Sequence, residues 1–326
     1  MPRSRQILLA SVSSLALLLS VPTVRAADLS TNPPLPTKAP PPPPVVRSPW
    51  TWWIEGGAQQ VAGDPIVAGL YPTFDARANH WGPTGAIGVT YQYSDLYAFD
   101  FDFRIGANRR TTNSFQFACL GSSSCFTPIS GPNSATRKEL NWVTDFMLGR
   151  EIGIGGGPAQ IEAGIRIAQI RGTTNGSAAM ASSPPPFTSF DVYTQKNYFF
   201  GAGPRVAVDG SVPLTGALSL QYMFGVAGLI SYRSTDQTAT FTNGSGQGCF
   251  SGCALNISTS DNTIVANPDA TIGLIYALSH TLSVSLNFHV DTYFAAFKAF
   301  NAAGNPVNVD RIYYSPNIRL TWQPGS

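Results

Sequence analysis

A run of ten residues near the C-terminus constrains the fold most. Leu282, Val284, Leu286, Phe288 and Val290 are apolar, and Ser283, Ser285, Asn287, His289 and Asp291 between them are polar. A side-chain period of two is the mark of a β-strand with one apolar and one wet face. A soluble sandwich strand carries the same mark. Here the pattern recurs along a chain that begins like an exported one, and the two together predict an all-β, transmembrane, antiparallel up-and-down barrel.

The start of the chain reads as a secretory signal over residues 1–26. Arg3 and Arg5 precede an apolar run from Ile7 to Val21, and Val24-Arg25-Ala26 offers small residues for cleavage after Ala26. Losing Arg3, Arg5 and Arg25 from 20 basic residues leaves 17 against 18 acids, a net of −1. A near-neutral chain has no basic face for nucleic acid. Residues 27–49 hold Pro33, Pro34, Pro36, the run Pro40–Pro44 and Pro49. Such a stretch is an extended polyproline spacer that cannot enter a sheet interior. It is expected to lie in the periplasm, with the cell wall as a candidate contact.

The remainder, 50–326, is expected to be the barrel. No later stretch has the roughly 18 uninterrupted apolar residues of a membrane helix. In hydrocarbon, only helices and closed barrels satisfy all their backbone polar groups. Charged residues are 12% of the chain, against about 25% in soluble domains, which suits an outer surface facing lipid.

Ten strands are expected, with eight or twelve as alternatives. They cover Trp50–Gln60, Thr84–Tyr93, Tyr97–Ile105, Lys138–Gly149, Ala159–Arg171, Lys196–Asp209, Ala217–Tyr232, Pro268–Leu278, Leu282–Asp291 and Arg311–Trp322. The alternation slips near Ile170, which predicts a bulge or a strand end there. Pro204 is awkward for an internal ladder. Thr238–Thr242 either extends a strand or begins another pair. Long connections follow the odd-numbered strands and short ones the even-numbered strands. That parity matches bacterial barrels, with short periplasmic turns, longer extracellular loops and an even strand count. Trp50, Trp52, Tyr91, Tyr93, Tyr97, Tyr314 and Trp322 cluster near strand ends, where an interfacial aromatic girdle needs them.

The stretch Phe199-Phe200-Gly201-Ala202-Gly203-Pro204-Arg205-Val206, followed by Asp209-Gly210-Ser211-Val212-Pro213-Leu214 and an apolar strand through Ile230, resembles the Legionella major outer-membrane protein family of pore-forming barrels. The likeness is most specific over residues 196–232 and architectural elsewhere. It implies an integral outer-membrane pore or porin-like protein. The lead-in Ala26-Ala27-Asp28-Leu29 with the Lys38–Pro44 run also resembles that of opacity-type surface barrels. Pro324-Gly325-Ser326 after Trp322 departs from the usual barrel ending on an aromatic.

Alternation places Asp100, Asp102, Arg104, Asp145, Glu162, Arg166, Arg205, His289, Asp291 and Arg319 on inward faces, where they are expected to line the pore. Asp209, Asp269 and Arg311 share those faces, and the acids slightly outnumber the bases, a lean towards cations. Passive passage of ions or small solutes is the expected function. A structural or adhesive surface antigen acting through its extracellular loops is the alternative. A third reading is enzymatic. Asp100 and Asp102 with His289 and Asp291 resemble the paired acids and acid–histidine pair of omptin-type proteases, whose histidine would activate a water. Asp100 follows a periplasmic turn and His289 is mid-strand, so lumen charges paired with arginines are preferred and no enzyme is expected.

Cys119 with Cys125, and Cys249 with Cys253, form two tight pairs, expected as local disulfides in an exported protein. A zinc site using all four is disfavoured by their separation, so neither metal nor cofactor is expected. The expected partners are outer-membrane lipid and lipopolysaccharide, the barrel-assembly machinery and, in a homo-oligomer, further copies of the chain.

Overall fold

The computed structural model describes residues 48–62, 80–112, 126–128, 134–152, 157–182, 188–243, 253–300 and 306–324. Ten long antiparallel strands follow one another: β1 Trp50–Ala62, β2 His80–Gln92, β3 Tyr97–Thr112, β4 Ser134–Glu151, β5 Ala159–Ser182, β6 Thr188–Thr215, β7 Leu218–Asn243, β8 Cys253–Ala277, β9 Leu282–Phe300 and β10 Pro306–Trp322. Each pairs with its sequence neighbours, and β1 pairs with β10 to close the barrel. A three-residue segment, Phe126–Pro128, adds to the upper end of β5. The expected ten-stranded barrel is therefore the fold. The leader, most of the proline-rich segment, and Cys119, Cys125 and Cys249 lie outside the described residues.

The outward face is apolar because every second residue was chosen so. Ile54, Ile87, Phe146, Ile165, Val206, Phe224, Ile264, Leu286 and Ile318 are all exposed. In water such a surface would be an aggregation site; in lipid it is the anchor. Trp50 packs on Tyr91 with ring centroids 4.4 Å apart, and Tyr93 stacks on Tyr97 at 5.9 Å. With Trp52 and Trp322 they form one belt at the turn end of the barrel. Tyr314 sits near the other end, opposite Gln60, and stacks on Phe288 at 6.4 Å. Trp81, which lies before the expected start of the second strand at Thr84, joins that upper belt on β2, also opposite Gln60.

The lower turns are short and carried by serine hydroxyls. Ser94 Oγ accepts from the amides of Leu96 and Tyr97, and Ser279 Oγ from those of Thr281 and Leu282. Gly216, at φ 50°, makes the tight β6–β7 turn, where the left-handed region favours glycine.

Three expectations need correction. The segments expected as long loops at Gly172–Gln195 and after Tyr232 are mostly strand: β5 reaches Ser182, β6 starts at Thr188, and β7 and β8 leave only residues 244–252 between them. Thr238–Thr242 accordingly extends β7 and begins no new pair. These stretches are rich in Thr, Ser, Asn and Gly and hold few evenly spaced apolar residues, so the alternation signal fades while pairing continues. Second, β5 does not bulge at Ile170, which pairs in register with Asn141 and Phe199. Its side chain is fully buried inside the barrel; the slip marks an apolar inner layer. The irregularity is on β9, where Tyr293 pairs with Arg311 but Phe297 with Val309. Residues 294–296 thus face Asp310 alone. Ala295 there takes a left-handed φ of 58°, and its amide donates to Asp310 Oδ1 at 2.6 Å. Third, Pro204 stays within the sheet. It points outward and interrupts only the pairing towards β7, between Ala202 and Arg205, without changing register.

Candidate functional site

The candidate site is the barrel interior. All ten expected lumen residues face inward, because strand parity is fixed by the apolar outer face. They do not, however, surround open space. Most are buried against one another.

Around mid-height, Arg166 forms the hub. Its Nε and Nη2 donate to the two oxygens of Asp145 at 2.7 and 2.6 Å, a forked pair. Its Nη1 donates to Asn267 at 2.7 Å and Asp269 at 3.0 Å, with Asp291 at 3.8 Å. Arg205 donates to Asp269 at 2.7 Å and lies 3.6 Å from Asp145. Asp102 stands directly across from Asp145 on the neighbouring strand. Arg104 donates to Nε2 of His289 and lies 3.8 Å from Glu55. An arginine can only donate, so Nε2 is the acceptor, and Nδ1 carries the proton donated to Thr271 Oγ1 at 2.8 Å.

This settles how the residues of the protease-like set are arranged. Both nitrogens of His289 are engaged, by Arg104 and Thr271. Asp291 instead accepts from Asn267 at 2.6 Å and from the Tyr293 hydroxyl at 3.0 Å. The histidine and the acid share a face without pairing. Asp100 sits lower, near the turn end, where it accepts from Thr90. Glu162 is at that level too, accepting from Gln160 at 2.6 Å, with Arg205 3.9 Å away. A cavity of about 490 Å³ opens there, bordered by Thr90, Gln160, Asp209 and Gln221.

Above the ion-pair layer the interior divides. On the β5–β9 side it is apolar: Ala168, Ile170, Phe199, Leu229, Val265, Tyr293 and Phe297 are fully buried. Tyr293 meets Phe199 edge-on at 5.7 Å and Tyr313 at 6.1 Å. On the β1–β4 wall it is mostly polar, with Val61 and Val143 as breaks. Gln59 Nε2 donates to Asn108 at 2.8 Å and Asn141 at 2.7 Å. Its side chain fills the space that a Cβ at Gly106 would need. Higher still, Glu139 accepts from the Tyr313 hydroxyl at 2.8 Å and from Arg137, with Arg311 3.4 Å away. At the rim, Arg233 forks onto Asp261 at 2.6 and 2.9 Å, and Lys298 reaches the same carboxylate at 2.8 Å.

Glu55 was missed although its parity opposite Trp52 and Ile54 marks it as inward. It closes the seam: it stands across from Arg319, whose Nε donates to it at 2.9 Å while the guanidinium lies 4.0 Å over the Trp53 ring. Gln59 and Glu139 obey the same rule of alternation. Arg137, Arg233 and Asp261 carried no such signal, lying beyond the ends of the alternating segments.

Among the described residues no group of His, Cys, Asp and Glu is arranged to hold a metal ion. No curated protein matches the chain. Among solved structures it is similar to the outer membrane protease OmpT from Escherichia coli, at 10% identity over 86% of this chain and 99% of that one, with a TM-score of 0.44. It is also similar to the translocator domain of the autotransporter NalP from Neisseria meningitidis, at 9% identity over 83% and 88%, TM-score 0.28. A third is the CymD monoaromatic hydrocarbon channel, at 9% identity over 86% and 90%, TM-score 0.23. Likeness at this level says nothing of activity. The sequence itself is more specific: the family model of the Legionella pneumophila major outer membrane protein precursor matches residues 83–322, and the chain belongs to that outer-membrane family.

Proposed function

We propose that this outer-membrane barrel is a narrow pore for ions or small solutes that is closed by its own side chains in the conformation described. The observation that carries the reading is the polar wall of β1–β4. Just above the ion-pair layer, the β5–β9 side presents a buried apolar patch, with Asn197, Ser231 and Thr235 buried above it, and such a patch in a narrow lumen resists wetting. Along β1–β4 most inward residues at this height are polar, namely Gln59, Asn108, Asn141, Glu139 and Arg137, with Val61 and Val143 between them. Burying several charges is a poor way to gain stability, since well-packed apolar residues often do as well or better. A barrel needing only an anchor has little use for them.

The Gln59–Asn108–Asn141 cluster is the gate in this reading. It is uncharged and held by hydrogen bonds alone, from Gln59 Nε2 to Asn108 and Asn141 and back from Asn108 to the Gln59 carbonyl at 2.8 Å, so its rearrangement exposes no unpaired ion. Refolded full-length protein in a planar bilayer tests it. Wild type is expected to be mostly closed with rare small openings, and Gln59→Ala to raise the open fraction several-fold. Absence of currents from both, with folding shown by heat-modifiable mobility, overturns the pore reading.

A second reading has its own observation. Strands β5–β8 are 24, 28, 26 and 25 residues long, against 13 for β1 and β2. A stand of paired strands beyond the lipid suits a surface protein that acts through its upper hairpins. Loss of cell or matrix binding on deleting Ser234–Asp261, with conductance unchanged, would favour it.

A further inference from the structure

We propose that the outer wall of β3–β6 carries a binding site for a phosphorylated glycolipid of the outer leaflet. On the upper rim of that wall, Arg109, Lys138 and Lys196 project outward and are exposed, and Arg171 does so one outward position lower. Register aligns them. Arg109 stands directly opposite Lys138, Lys138 opposite Thr173, and Thr173 opposite Lys196. The row crosses four strands, about 14 Å at ~4.8 Å per strand. Arg171 sits below it between Leu140 and Tyr198, its guanidinium 5.5 Å from the Tyr198 ring centroid.

Two observations point to an anionic occupant. Like charges directly opposite on adjacent strands repel, yet Arg109 and Lys138 are such a pair. Among the described residues, none of the four bases has a carboxylate within ion-pair distance. The acid nearest in register is Asp236, across from Lys196 at one end of the row, and it accepts from Ser258 at 2.6 Å. Glu139, on the same strand as Lys138, faces inward to Arg137 and Tyr313. The inward arginines, by contrast, are matched with acids throughout.

The second observation is shape and height. A groove of about 510 Å³ lies along this wall, bordered by Trp81, Arg109, Lys138, Leu140, Arg171 and Thr173. Its lower edge is apolar and continues into the lipid-facing band through Leu140 and Ile105; its upper edge is basic. The termini and short turns are at the opposite end, so this rim is extracellular. A molecule with acyl chains below and sugar phosphates above fits both edges: the bases take the phosphates by charge-assisted hydrogen bonds, and Trp81 and Tyr198 meet the amphipathic boundary. The bases elsewhere on the described outer wall do not form such a row; Arg150 is at the periplasmic end, near Tyr97.

The test uses full-length protein in detergent, with diphosphoryl lipid A, its dephosphorylated form and inorganic phosphate as probes. Wild type is expected to retain diphosphoryl lipid A through exchange chromatography and to release the dephosphorylated form. Millimolar inorganic phosphate is expected not to displace the lipid. Arg109→Gln/Lys138→Gln/Arg171→Gln should bind at least about tenfold more weakly, because each base near a charged lipid surface adds to the attraction. Lys138→Gln alone should show a smaller loss and keeps the test valid if the triple variant misfolds. Arg150→Gln should leave binding unchanged. Equal retention by the Lys138 and triple variants, equal retention of the dephosphorylated lipid, displacement by inorganic phosphate, or an equal loss in Arg150→Gln would each overturn the proposal.

Discussion

Removing Arg166 is the sharpest test of the ion-pair layer. In Arg166→Met the volume is nearly kept while the charge and five donors go. Asp145 loses both of its short bonds, and Asp269 and Asn267 lose one each. Breaking a buried ion pair by removing one partner costs about 3–5 kcal/mol, because the other charge stays buried and uncompensated. Arg205 already lies 2.7 Å from Asp269 and 3.6 Å from Asp145, so it takes up part of the deficit. The expected loss is therefore near the lower end, about 3 kcal/mol. Asp145→Asn should lose less, since an amide still accepts from the guanidinium. The double variant should be more stable than the sum of the single losses implies, by about 1–2 kcal/mol of coupling between residues in one network. Urea unfolding in lipid vesicles, followed by tryptophan fluorescence, reads all four proteins. A loss under about 1 kcal/mol in Arg166→Met would mean that water or a mobile lumen already screens these acids, and the packed-interior argument would fail.

Other expectations follow from single features. Ala295→Gly should stabilise the barrel by about 0.5–1 kcal/mol in the same unfolding assay, since glycine takes the left-handed backbone of the β9 bulge without the Cβ penalty. Gly106→Leu should destabilise by about 1–3 kcal/mol, because the added carbons occupy the space of the Gln59 side chain. At the extracellular rim, the hydrogen bond from Arg233, then Lys298, holds the Asp261 carboxyl down to about 2. A lowered folded-state value means stability present above the ordinary aspartate range near ~3.9 and lost as pH falls towards about 2. Hydrogen exchange at the β7–β8 hairpin should accelerate through that window in wild type, and Asp261→Asn should flatten the dependence.

The candidate site was legible in part. Parity alone assigned Asp145, Arg166, Arg205, His289 and Asp291 to the interior, because one face of each strand had to meet lipid. It also held the means to find Glu55 and Gln59. It could not find Arg233 or Asp261, which belong to strands continuing into water where neither face need be apolar. Nor could it distinguish an inward apolar layer from a broken pattern, and Ile170 was misread for that reason.

The sequence by itself determined the barrel, its ten strands and the side of the wall on which each residue sits, since a period of two is a local property enforced by the solvent on each face. Only the tertiary structure decided that the inward charges meet and fill the lumen. Whether Arg166 reaches Asp269 across some hundred residues of chain depends on strand number and stagger, which set the barrel's diameter and bring β5 opposite β8. The outward row of bases has the same origin: Arg109, Lys138, Thr173 and Lys196 are distant in sequence and become neighbours only when four strands lock in register.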